Sequence, residues 1–250
     1  MLHQEYVRLV PNAETAVLFL HGIVSSPRFF DERISLVSHV PENFSVYNLL
    51  LPGHGGTVED FSKSSMQQWK NYVWEIFEKL ASTHQRVILV GHSMGTLFAL
   101  QLAMERPEKI HFVFLLCSPI HIFVSPAAVR HCMQLTMSKP EKISPKGKAM
   151  GDSGSVKLTR KLWKYIPWVK QMLQLLAESR RVRKMLPQLQ IFAYVFQSRG
   201  DEMVSKHSAK VLSRLDCVQL QILDKSTHFF FDEQDEALVQ QRFASLCRFE

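Results

Sequence analysis

The sequence predicts an α/β fold: a mostly parallel central sheet with helices on both faces and a helical insertion late in the chain. Three observations carry that expectation. Apolar runs at residues 15–20 (TAVLFL), 86–90 (RVILV), 110–117 (IHFVFLLC) and 190–197 (QIFAYVFQ) are continuous rather than alternating, the pattern of strands covered on both faces. Helix-period stretches separate the early runs, which calls for right-handed βαβ crossovers and puts ligands at the carboxyl ends of the strands. The alternation then breaks over residues 121–187. With 250 residues, 46% hydrophobic and 21% charged, the chain suits one large core and not disorder.

In order, residues 6–10 are a short strand that turns at Pro11-Asn12-Ala13. The strand at 15–20 ends in His21-Gly22-Ile23. Ser26-Pro27 offers a cap and a first-turn proline for a helix over 28–40, carried by Phe29, Phe30, Ile34, Leu36 and Val37. A third strand, 44–51, closes in Leu51-Pro52-Gly53-His54-Gly55-Gly56, where His54 reads either as a pocket-wall residue or, the favoured reading, as a solvated turn residue. Met66, Trp69, Val73, Ile76, Phe77 and Leu80 share one face of a helix over 65–82, opened by a Ser65/Gln68 capping box. Those aromatics are core. The strand at 86–90 leads to a helix over 96–104 that Pro107 ends. After the strand at 110–117 and the insertion, strands at 190–197 and 218–223 resume the pattern and a helix over 232–249 closes it.

Chemistry concentrates at the end of the 86–90 run. Gly91-His92-Ser93-Met94-Gly95 is a G-x-S-x-G pentapeptide between a buried strand and a helix, the context in which a sharp turn thrusts the serine hydroxyl out of the sheet. A serine of this kind needs two backbone donors for an oxyanion. The positions that fit are the N–H groups of Met94, after the serine, and Ile23, after the His-Gly strand exit. Asp201 follows a buried strand, where the acid belongs in the order Ser, Asp, His. His228 alone of eleven histidines follows the last strand in that order. Glu202 and Asp224 are rival acids, and Asp224, only four residues before the histidine, ranks below Asp201. The expected constellation is Ser93, Asp201 and His228, with Ile23 and Met94 as backbone donors.

Charge is localised. Between His121 and Met185 fourteen Lys and Arg face three acids, so this segment carries +11 in a chain of net charge +7, and the remainder is mildly acidic. The basic residues interleave with apolar ones and no recognition motif accompanies them, so nucleic acid is not an expected partner. We read 121–187 as a helical cap, or lid, on a core domain formed by 1–120 and 188–250. Its apolar face (Leu162, Trp163, Ile166, Trp168, Val169, Met172, Leu173 and Leu176) is expected to line an acyl pocket while the lysines face water. Pro167 is expected to kink or divide that helix, and Asp152-Ser153-Gly154-Ser155 offers a mobile loop or hinge. A weak contact of the basic cap with an anionic membrane surface is the sharper alternative. Cys117, Cys132, Cys217 and Cys247 follow no metal-ligand or C-x-x-C spacing and read as buried thiols. The first residues lack the organisation of a signal peptide and no apolar run approaches about 20 residues, so a cytoplasmic location is expected.

Together HGIVSSP, LPGHGG, GHSMG, RGDEMV and STHFF resemble the α/β-hydrolase superfamily, and within it the bacterial carboxylesterase and monoacylglycerol-lipase-like branch, also grouped with serine aminopeptidase-like hydrolases. The resemblance covers nearly the whole chain outside the insertion. It departs at Leu51, where an acidic residue usually precedes the proline-glycine turn, and in a shortened N-terminal hairpin. It implies Ser93, Asp201 and His228 as a triad, Ile23 and Met94 as donors, a small-molecule ester as substrate, and neither metal nor organic cofactor. A thioesterase, an amide hydrolase or an acyltransferase uses the same residues, and an inactive ligand-binding scaffold keeps the same fold.

Overall fold

The computed structural model describes residues 3–248. Seven strands form one sheet: β1 (Tyr6–Arg8), β2 (Thr15–Leu20), β3 (Ser45–Asn48), β4 (Arg86–His92), β5 (Ile110–Leu116), β6 (Ala193–Ser198) and β7 (Val218–Leu223). Their order is β1-β3-β2-β4-β5-β6-β7. β1 runs antiparallel to β3, and every other neighbouring pair is parallel. β2 and β6 are buried along their whole length and β4 from Val87 onward, which is why their sequences do not alternate. The pairings Leu20 with Gly91 and His92 with Leu116 bring the carboxyl ends of β2, β4 and β5 level.

The helices are α1 (Val58–Lys63), α2 (Met66–Thr83), α3 (Met94–Glu105), α4 (Pro126–Met137), α5 (Pro145–Ser153), α6 (Trp168–Met185), α7 (His207–Leu212) and α8 (Glu233–Leu246). One core layer joins the sheet to α2 and α3 through Trp69, Phe77, Leu97 and Phe98. The opposite layer joins it to α8 through Val239 and Phe243 and to the stretch after β2 through Phe29 and Phe30. Among the described residues no helix is long and apolar enough to cross a membrane.

Several expectations need correction. Residues 28–40 are not one helix: a π-helical turn (Phe29–Arg33) and a 3-10 turn (Val37–His39) flank Ser35, whose φ is 48°. The Ser38 hydroxyl and His39 Nδ1 bond the Ser35 carbonyl at 2.8 Å each, so side chains replace the helical ladder. Over 158–176 the expected division at Pro167 is present, with a 3-10 turn (Leu162–Tyr165) before it and α6 after it. Asp152 and Ser153 belong to the last turn of α5, and Ser153 and Ser155 are buried against the core rather than free as a hinge. Of the cysteines, Cys117 and Cys247 are buried, Cys217 is half-buried and Cys132 is exposed.

Candidate active site

β4 passes into α3 without a linker, and Ser93 is the joint, with φ 51° and ψ −123°. A non-glycine residue in such a conformation costs about 1–3 kcal/mol and persists only where its surroundings fix it. They do. A Cβ on Gly95 would lie 1.8 Å from the Leu20 carbonyl oxygen, and one on Gly91 would lie 2.8 Å from the Thr96 nitrogen. The Ser93 N–H donates to Leu116 O at 2.9 Å, tying the joint to β5. Met94 opens α3, so its N–H has no acceptor within the helix. Ile23 lies in the turn after β2 and shares a cavity wall with Ser93.

The loops after β6 and β7 bring two more side chains to the serine. His228 Nε2 stands 2.9 Å from Ser93 Oγ, and His228 Nδ1 stands 2.9 and 3.1 Å from the two Asp201 carboxylate oxygens. Asp201 Oδ1 also accepts the N–H groups of Met203 and Val204, each at 2.8 Å, which fixes the carboxylate. With a carboxylate at Nδ1 that nitrogen carries the proton, and Nε2 offers its lone pair to the serine hydroxyl. Burial works against a charged imidazole, but the charge and hydrogen bond of Asp201, aided by the Glu202 charge, outweigh it and raise the His228 pKa above its ordinary value. Neither rival acid orients the ring. Glu202 accepts the backbone N–H of His228 at 3.2 Å, and Asp224 pairs with Arg199 at the surface. From α4, His131 Nδ1 faces the other Glu202 oxygen at 4.0 Å.

Three more histidines are buried close to the site. His92 stacks on Phe29 and donates from Nε2 to the His228 carbonyl at 3.0 Å. Burial holds it neutral, well below its ordinary pKa. His21 donates from Nδ1 to Gly22 O at 2.8 Å and accepts the Leu51 N–H at Nε2, and burial pulls its pKa to about 4. His54 is buried, against the favoured of its two sequence readings, and its Nε2 accepts the Val24 N–H at 3.1 Å. The sequence does not reveal this bond because its partner lies on another loop. His92, Cys117 and His228 bring three possible metal-ligand atoms within 4.8 Å. Both His228 nitrogens are already engaged, and burial and the Asp201 charge push the Cys117 thiol well above its ordinary pKa, so this donor set suits proton transfer better than a cation.

A cavity of about 470 Å³ opens on Ser93 and His228 and rises between Val129, Met133, Met150 and Met172 of the segment between β5 and β6, the insertion expected from the sequence. The apolar face expected to line it is split. Leu162, Trp168 and Met172 do line the cavity, while Trp163, Ile166, Val169 and Leu173 stand 58–69% exposed. Buried polar bonds decide the rotation of α6. Gln171 Nε2 donates to the carbonyls of Ser62 and Ser64, Glu178 pairs with Lys70 at 3.0 Å, and the Ser179 hydroxyl donates to Pro119 O. Each of those groups would cost about 1–3 kcal/mol if left buried without a partner, enough to turn aliphatic residues outward.

Comparison with known proteins agrees with this architecture. The Alpha/beta hydrolase family model matches residues 17–241. A structure of the metagenome-derived lipolytic enzymes LipS and LipT is similar at TM-score 0.74 and 18% identity, covering 99% of this chain and 98% of that one. The monoacylglycerol lipase of Paleococcus ferrophilus is similar at TM-score 0.67 and 16% identity, with 99% of each chain covered. A carboxylesterase structure from Nitrososphaera gargenis gives TM-score 0.67 and 15% identity over 97% of this chain and 94% of that one. A curated relative from Cupriavidus necator, the dihydrolipoyllysine-residue acetyltransferase component of an acetoin cleaving system, is 31% identical over 115 residues. That match spans 46% of this chain and 29% of the relative's length. The family match runs from β2 into α8 and takes in the serine joint, so the chain belongs to the Alpha/beta hydrolase family.

Proposed function

We propose that this chain is a serine hydrolase of carboxylic esters. Ser93 is the nucleophile, His228 the general base and acid, Asp201 the carboxylate that orients the imidazole, and Ile23 and Met94 the backbone donors to the oxyanion. The observation that supports this best is the unbroken relay from Asp201 through His228 to Ser93 Oγ at the wall of an apolar cavity. Ser93 Oγ attacks the ester carbonyl carbon while its proton passes to His228 Nε2. The resulting oxyanion lies between the two N–H groups, each worth about 2.7–4 kcal/mol to the transition state. Collapse expels the alcohol, which takes the proton from His228, and leaves Ser93 acylated. Water then gives a proton to the same nitrogen and attacks the acyl carbon, and collapse breaks the acyl–Oγ bond as His228 returns that proton to Ser93 Oγ, releasing the acid and restoring the serine. Residues 121–187 act as a cap whose apolar lining selects short to medium acyl chains, monoacylglycerol-like esters among them.

Acyl transfer to an acceptor other than water is the second reading, favoured by the apolar lining, which limits water at the acyl-enzyme. A panel of p-nitrophenyl esters from acetate to decanoate, run against acyl thioesters and aminoacyl amides, separates the two. Esters are expected to be hydrolysed fastest, with Ser93→Ala silent on all of them. Turnover that survives Ser93→Ala refutes the assignment, and faster transfer to an added thiol or amine than to water favours the second reading.

A further inference from the structure

The turn that carries Ile23 is held in a conformation its own residues disfavour, by groups from two other parts of the chain. Gly22-Ile23-Val24-Ser25 is a β-turn closed by the Ser25 N–H on Gly22 O at 3.1 Å. Val24, its third residue, has φ 59°. Positive φ at that position is the type II requirement, normally met by glycine, and a β-branched residue there is an outlier. Rotating the Ile23–Val24 peptide to the type I form would relieve it, since both central residues then take negative φ. Two contacts oppose that rotation. The Val24 N–H, part of the peptide that would rotate, donates to His54 Nε2 at 3.1 Å. The Val24 carbonyl accepts the Ser155 N–H at 2.8 Å and the Ser155 hydroxyl at 3.3 Å.

His54 is suited to this. Its Nδ1 faces the carbonyls of Leu51 and Pro52 at 3.2 and 3.3 Å and so carries the proton, leaving a lone pair at Nε2. Its ring is wedged edge-on among His21, Phe61 and Trp69. Ser155 is fixed in turn by the adjacent bridge between Ser25 and Gly154 and by the Ser25 hydroxyl on Ser153 O at 3.0 Å.

We propose that His54 is a positioning residue: by accepting the Val24 N–H it keeps this turn in the type II form and holds the Ile23 N–H where the oxyanion develops, while Ser155 of the insertion braces the other side of Val24. This rests on the assignment of Ser93 and Ile23 made above. Misplacing a reacting or stabilising group by about 1 Å can cost on the order of 10²-fold in rate, so one peptide rotation is enough to matter. The insertion then has a second task, since its Ser153–Ser155 stretch is part of the scaffold of an oxyanion donor.

The test is steady-state hydrolysis of p-nitrophenyl butyrate alongside the affinity of an alkyl boronic acid, which forms a tetrahedral adduct on the serine. His54→Phe keeps a ring and removes the acceptor, and His54→Gln returns an acceptor near the Nε2 position. His54→Phe is expected to lower kcat about 10–100-fold with KM within about threefold, and to weaken the boronic acid in step. His54→Gln regains most of the loss. Adding Val24→Gly to His54→Phe also regains it, because glycine holds a type II turn without a clamp. Where Phe does not fold, His54→Leu takes its place. Unchanged kcat in a folded variant without the acceptor overturns the proposal, and so does a loss that Val24→Gly leaves unrelieved. Failure of a fluorophosphonate to label Ser93 in the wild type removes the assignment beneath it. A labelled wild type with an indifferent His54→Phe defeats the positioning role alone.

Discussion

The serine joint and the insertion face the same cavity and are built on opposite terms. Around Ser93 the backbone itself sets the geometry: β2 presses against α3 so closely that Gly95 has no room for a Cβ, and the Ser93 N–H is tied to β5. The insertion presents 13 of the 17 large apolar side chains exposed among the described residues, and Met133, Met150 and Met172 line its share of the cavity. Flexible, polarizable side chains of that kind adapt to the shape of a ligand. The difference teaches where tolerance lies: the joint is fixed by contacts that admit no extra atom, and on the function proposed above substrate choice is left to side chains that can shift.

Asp201→Asn attacks the rigid side hardest. It is expected to lower kcat about 10⁴-fold, because an amide no longer fixes the tautomer of His228. Its pH profile is the sharper readout. The folded-state pKa of His228 is raised, so Nε2 becomes free only above the ordinary value of about 6.5, and kcat/KM should rise with pH through a midpoint above it. In Asp201→Asn that midpoint moves down. Stability runs the other way: the contribution of the raised pKa is fully present below about pH 6.5 and is lost as pH rises through the folded value. Urea unfolding across that window checks the sign.

Gly95→Ala asks how little slack the joint has. A methyl group 1.8 Å from the Leu20 carbonyl forces β2 and α3 apart, with an expected destabilisation of about 3 kcal/mol or more by denaturant unfolding. A loss below about 1 kcal/mol would show the joint to be adaptable after all.

On the insertion the same kind of change should do little. Ile166→Ser with Leu173→Ser is expected to shift stability by no more than about 0.5 kcal/mol and to leave hydrolysis of water-soluble esters within about twofold. Ile166 and Leu173 are exposed, as are Lys161 and Lys170 of the same segment, so on the membrane-contact alternative the paired substitution weakens sedimentation with anionic vesicles while leaving zwitterionic ones unaffected. Equal sedimentation of wild type and variant would remove the membrane contact from the account.

This contrast also explains what the sequence allowed. The buried strands, the G-x-S-x-G joint and the approach of Asp201 and His228 to Ser93 were legible because each follows from a local rule: a continuous apolar run, residues small enough for a tight turn, and chain order at strand ends. The orientation of α6 was not, since its apolar residues alone would have turned inward, and Gln171, Glu178 and Ser179 decide otherwise through partners on α1, α2 and the loop after β5. His54 escaped for the same reason. A histidine between glycines looks solvated until the loop that donates to it is in view.

The central claim is that the imidazole at 228 activates the hydroxyl at 93, and peptide mapping after fluorophosphonate treatment measures it most directly. The account predicts one adduct, on Ser93, formed at least about a hundredfold more slowly in His228→Ala and absent in Ser93→Ala. An adduct on another residue, or labelling of Ser93 at an unchanged rate in His228→Ala, would contradict it.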